Sequence, residues 1–246
     1  MGVETLGDGI GLPRRVSFDS QRSWQNISPM MTRFLYGLAV TLIVGAPGVA
    51  GAQGAPDSGA FVVRHGQDTV ATERFTRTAT RLEGTLALRN ARMTSERYSA
   101  VVAPDATLPL IEVTVREGAD TGQAKARVVQ RARVIFKEDS AAVDEMGDAG
   151  IMTRVFGTEA GAVPYLNLSF ALLEQAVRRA RAEHRGSQVA FFNLGGGQTI
   201  VAKISPLGVD SLRLDIGDTR IHLRLDGSGR VLGGRIPVQD VVVERQ

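Results

Sequence analysis

The strongest constraint in this sequence is alternation. From residue 60 onward, residue-by-residue alternation of apolar and polar side chains dominates, broken by one segment. In Leu82-Glu83-Gly84-Thr85-Leu86-Ala87-Leu88 the leucines share one face, and Ile111, Val113 and Val115 alternate with Glu112, Thr114 and Arg116. Leu212, Leu214 and Ile216 repeat the pattern around Arg213 and Asp215, as do Ile221, Leu223 and Leu225 around His222 and Arg224. A strand turns successive side chains to opposite faces, so this period buries one side and wets the other. Strands of that kind belong to antiparallel sheets, because parallel sheets are buried on both faces.

Turn residues punctuate the alternation: "HGQD" (65–68), "APDA" (103–106), "EGADTG" (117–122), "LGGGQ" (194–198), "IGDT" (216–219) and "DGSGR" (226–230). Gly supplies positive φ, while Asp and Asn bond back to the backbone. About a dozen strands at short, regular spacing predict a mainly β (α+β) fold. The expected architecture is a strongly curved antiparallel meander, half-barrel or barrel-like, with one amphipathic helix packed on it.

That helix is read over "YLNLSFALLEQAVRRARAEHRG", residues 165–186. Leu166, Phe170, Leu173, Val177 and Ala180 recur at helical spacing, and Glu174, Arg178, Arg181 and Arg185 fill the other side. Pro164 suits the start and Gly186 the stop. The acidic stretch "KEDSAAVDEMGDAG" (137–150) lacks the alternate oxygen ligands and closing Glu of a calcium loop, and reads as a solvated connection.

Residues 30–53, "MMTRFLYGLAVTLIVGAPGVAGAQ", follow the grammar of a secretory signal. Arg33 precedes an uncharged apolar core, and Ala50-Gly51-Ala52 is a small-residue cleavage site before Gln53. The expected organisation is a disordered or mis-started extension (1–29), the signal peptide (30–52), a polar linker (53–59) and a single β-rich domain (60–246). The expected location is the periplasm or the medium. The alternative is an inner-membrane anchor formed by residues 34–52, the one expected route to a membrane if the segment stays uncleaved.

Composition narrows the chemistry. With no cysteine there is no disulfide, thiolate metal site or Cys nucleophile. The 29 Lys and Arg are interleaved with 26 Asp and Glu, which leaves no basic block for nucleic acid. Three scattered histidines form no zinc spacing, no Gly-x-Ser-x-Gly elbow is present, and "NLGGGQT" lacks the ending of a phosphate loop. No cofactor, metal or catalytic residue is expected.

One motif argues otherwise. "VVRHGQ" (62–67) resembles the first motif of the histidine phosphatases, and that resemblance implies His65 as phosphorylated nucleophile and Arg64 as phosphate clamp. The family also needs a second His after a buried strand. His184 lies on the expected helix and His222 on a polar strand face, so a hairpin turn at Gly66 is the preferred reading and the phosphatase a remote alternative.

The opening pattern "FVVRHGQDTVATERF" (61–75), with the single helix and the export signal, is similar to uncharacterised secreted β-rich domains related to lipoprotein-carrier-type (LolA-like) half-barrels. That resemblance implies a curved sheet with an apolar concave face. Two functions follow as expectations. The first is a non-catalytic binding module for an apolar ligand or lipidated client. The alternative is an envelope protein-interaction domain with a filled core, acting through its edges or outer face. The low aromatic content, 5%, favours a filled interior.

Overall fold

The computed structural model describes residues 55–118, 125–147, 150–182 and 187–246. The expected signal segment, with Ala50, Ala52 and Gln53, lies outside the described residues. Within them the alternation becomes fifteen strands and one α-helix. The first run is β1 (Asp57–His65), β2 (Asp68–Arg77), β3 (Arg81–Leu88), β4 (Thr94–Val101), β5 (Leu110–Glu117), β6 (Arg127–Lys137), β7 (Ser140–Gly147) and β8 (Gly150–Gly157). A short strand β9 (Val163–Tyr165) and helix α1 (Phe170–Ala182) follow. The second run is β10 (Gln188–Asn193), β11 (Thr199–Pro206), β12 (Ser211–Ile216), β13 (Thr219–Leu225), β14 (Val231–Ile236) and β15 (Val241–Arg245).

All fifteen belong to one sheet, in the order β8 to β1, then β15 down to β9. Two antiparallel meanders are thus stitched together where the first strand pairs with the last, Val63 opposite Val243. The one parallel pair described is β9 with β10. It needs a long crossover, and α1 is that crossover. The sheet is curled but not closed. Its two ends meet through side chains: Phe136 and Phe156 pack on Phe192 with ring centroids 5.5 and 6.0 Å apart.

One face of each strand fills the curl. Phe61 stacks on Phe75 at 5.6 Å and meets Phe170 of the helix at 5.8 Å. Leu82, Leu86, Ile111, Leu214 and Ile221 are buried around them. Each such side chain contributes about 1.5–3 kcal/mol by leaving water. Gly84 matters here because the Tyr98 ring, opposite it across β3 and β4, occupies the space a Cβ would take. Gly84→Ala is therefore expected to cost about 1–3 kcal/mol by overpacking. Thr85→Ala, on the exposed face next door, stays within about 0.5 kcal/mol of the parent. Urea melts of the two variants check this, and equal midpoints would refute the packing.

Three local expectations are corrected. Pro164 does not start the helix; it sits buried in β9, opposite Phe192. An edge strand tolerates a missing N–H, and α1 instead begins at Phe170 after Ser169. Residues 140–147 are a strand, not a solvated connection: Ala141 and Val143 are buried, while the acidic Asp144 stands on the other face. Glu174, placed on the wet side of the helix by its charge, is fully buried. The sheet curls round α1, so even Gln175 and Arg179 are buried.

Candidate functional site

Arg64 and His65 end β1 at the two-residue turn Gly66–Gln67, with His65 opposite Asp68 and Gly66 at φ 56°. His65 is exposed, and Arg64 donates from Nη1 to Glu244 Oε2 at 2.8 Å on the surface. In register, Arg64 faces Val242, which faces Arg235, which faces His222. Three strand spacings of about 4.8 Å put His222 roughly 14 Å away, beyond the reach of a shared phosphate. There His222 Nδ1 accepts from Arg235 Nε at 3.4 Å. His184 lies outside the described residues.

The chemistry that the sequence reading missed lies under the helix. On β2 the phase that buries Ala71 and Phe75 also buries Glu73 and Arg77. On α1, Glu174 stands one turn after Phe170, on the same side, and is equally buried. Its Oε2 accepts from Arg245 Nη1 and the Val231 N–H, each at 2.8 Å. Its Oε1 accepts from Arg178 Nη2 at 3.1 Å and from Arg77 Nη1. Asp57 takes Arg245 Nη2 at 2.7 Å and Arg178 Nη2 at 3.4 Å, so two carboxylates tie three arginines of β2, α1 and β15 together. Burial pulls the Arg77 guanidinium below the usual arginine value, with Glu174 acting against it. Arg77 also donates to Gln175 Oε1 at 3.2 Å and to the Ala171 carbonyl at 3.0 Å.

Glu73 locks the start of the same helix. Its Oε2 accepts the N–H groups of Phe170 and Ala171 at 2.7 and 3.0 Å. Its Oε1 accepts from Ser169 Oγ at 2.6 Å and Tyr98 Oη at 2.7 Å. A carboxylate satisfies first-turn donors that have no partner inside a helix. Burial still raises the Glu73 pKa, against the pull of those four donors. Burial and the neighbouring Glu73 charge raise the Tyr98 hydroxyl well above its ordinary value. Two strands along the same row, half-buried Glu96 is pushed up to about 7, chiefly by burial and then by Glu73. Glu73 and Glu174 are saturated by the donors around them. Every hydrogen-bonding site of the pair is spent on the fold, so the two carboxylates lock the helix to the sheet.

What the described residues leave unsaturated is the outer sheet and its end. On β8, Ile151 and Val155 are 70% and 69% exposed. Val155 ends an apolar row that runs across the outer face through Ala142, Ile135, Leu110 and Val101. Neighbouring rows carry charged and hydroxyl groups, such as Ser99, Glu112, Arg133, Asp144 and Thr153. The opposite end of the sheet is different: β9 is three residues long and contains Pro164. No described helix is long and apolar enough to cross a membrane.

No family model and no curated protein matches the chain. Among solved structures the chain is similar to a DUF1089 family protein from Pseudomonas aeruginosa, at 12% identity, over 70% of this chain and 92% of that one, with a TM-score of 0.46.

Proposed function

We propose that this protein is a non-catalytic interaction module of the cell envelope that takes a partner strand on the open edge of β8. The observation that carries the reading is the exposure of Ile151 and Val155 at the end of the outer apolar row. Unpaired edges accept an extended segment by strand addition, main-chain bonds giving affinity and alternate side chains giving specificity. Placement in the envelope rests on the signal-like segment 30–52.

The carrier reading has less support. Tyr98, Phe61, Phe75 and Phe170 occupy the concave face where an apolar ligand would lie. A hollow of about 320 Å³ beside α1 is lined by polar groups, among them Glu159, Arg179, Ser187 and Gln188. Apolar ligands select mostly apolar pockets.

Thr153→Pro tests the reading, because proline on an edge strand removes an outward donor without breaking the inner ladder. A stoichiometric partner recovered from envelope extract by the parent is expected to fall at least about tenfold with Thr153→Pro, a loss of roughly 1.4 kcal/mol. Val209→Lys, on an exposed loop elsewhere, retains it. Undiminished recovery by Thr153→Pro, or a lipid co-purifying with parent and variant alike, overturns the proposal.

A further inference from the structure

Resting on that interaction-module reading, we infer that the partner strand is β8 of a second copy, paired about a two-fold axis through Thr153. The argument starts from which backbone groups are free. The Thr158 N–H donates to the Asp139 carbonyl at 2.7 Å, in register with the pairing of Gly157 to Ser140 and Phe156 to Ala141. Bonded and non-bonded residues alternate along an antiparallel ladder. Even-numbered residues of β8 therefore bond β7, and the N–H and C=O groups of Ile151, Thr153 and Val155 point off the sheet. The carbonyl of Gly157, next in that odd series, obeys the same rule and accepts from Thr199 Oγ1 at 3.5 Å. Among the described residues, the far end of the sheet thus covers position 157 and leaves 151 to 155 open.

This open strand is its own complement. A two-fold axis at Thr153, normal to the sheet, sets Thr153 against Thr153 of the second copy and Ile151 against its Val155, twice over. All three pairs are odd against odd, so outward donors meet outward acceptors and side chains stay on matching faces. A one-residue slip sets odd against even, which mismatches both the bonds and the faces. A two-residue slip places Ile151 against Thr153 and loses the apolar match. In the symmetric register the row ending at Val155 runs on into Ile151 and Met146 of the second copy. Aliphatic β-branched pairs of this kind stabilise strand pairing.

The strand also lacks the devices that keep a monomer's edge from pairing. Edges are normally blunted by lysine, proline, a bulge or extreme shortness. Described β8 is eight residues long, contains no Lys or Pro, and pairs with β7 without a register shift. Its one charge, Arg154, is ion-paired to Glu145. β9 at the other end has both the proline and the shortness.

Because the chain has no cysteine, single thiols report the register directly. Thr153→Cys is expected to form a covalent dimer under mild oxidation, since bonded antiparallel partners lie about 5.5 Å apart at Cα, within disulfide range. Ile151→Cys alone and Val155→Cys alone stay unlinked, their symmetry mates being about 13 Å apart along the strand. An equimolar mixture of those two links. In sedimentation runs on the full chain without thiols, Val155→Lys weakens dimerisation roughly tenfold or more, both symmetric pairs being lost at once. A monomeric parent, or Thr153→Cys that does not link while the protein remains folded, overturns the inference. If an envelope partner is still lost with Thr153→Pro in that case, the interaction module stands and only the identity of its partner changes.

Discussion

Glu174→Ala is expected to lower the unfolding free energy by about 3–5 kcal/mol, the cost of leaving a buried charge without its partner. The carboxylate is fully buried, and Arg77 beside it is only 6% exposed. Removing the carboxylate strands that guanidinium with Asp57 at 3.5 Å as its one remaining anion, and leaves the Val231 N–H without an acceptor. It also frees Arg245, which now bridges Glu174 and Asp57 and so holds β15 to β1 and the helix. For a domain of this size the loss corresponds to roughly 10 °C in Tm. Glu174→Met combined with Arg77→Met recovers part of it, because Arg77 is no longer a stranded charge and Arg245 keeps Asp57, while the Val231 N–H stays without an acceptor. Thermal and urea melts of the three proteins decide the matter. A single variant within about 1 kcal/mol of the parent would show that the ion network lies open to water.

Glu73→Ala has an effect of similar size, about 3–4 kcal/mol, since four donors lose one acceptor group. Two of them are the N–H groups of Phe170 and Ala171 at the start of α1. Glu73→Gln is milder. Its amide oxygen can take the two N–H groups while its NH₂ donates to the Ser169 and Tyr98 hydroxyl oxygens.

The same carboxylates set a pH dependence of unusual sign. Glu73 and Glu96 both have raised folded pKa values, Glu96 to about 7, from an ordinary glutamate value of 4.5. Between the unfolded and folded pKa values the native protein holds protons that the unfolded chain has released. Stability therefore falls as pH rises through that window and levels off above it. For half-buried Glu96 the contribution is on the order of 1–2 kcal/mol after solvent screening. Urea melts at pH 5 and pH 8 are expected to show a less stable protein at the higher pH, and Glu96→Gln flattens the difference. A parent stability that is constant or rises over this interval refutes the assignment.

Strand alternation was legible because its cause is local. Leu82, Leu86, Ile111 and Val113 declare their face within a few residues, and the glycines of "HGQD", "LGGGQ" and "IGDT" mark turns that the structure contains. The β-rich, curled sheet with one helix follows from that periodicity. Two strands were hidden by composition. β7 carries acids on its outer and rim positions and resembled a connection until neighbours on both sides gave it a place, while the proline of β9 resembled a helix start until an edge position accommodated it.

The buried charges were half-legible. Glu73 and Arg77 share parity with Phe75, and Glu174 shares a helix side with Phe170, so their phase pointed inward while their charge argued for water. Charge alone could not decide between these, because a carboxylate enters a core only when cations and N–H groups meet it there. Those partners come from far along the chain: Arg245 is 188 residues from Asp57, and Phe170 is 97 from Glu73. Side-chain period and turn geometry are properties of neighbouring residues, and a reader of the chain can see them. Which strand lies beside which, which edge stays open, and which charge finds its counter-charge depend on how the sheet curls round α1. Only the folded arrangement brings those distant groups within bonding distance.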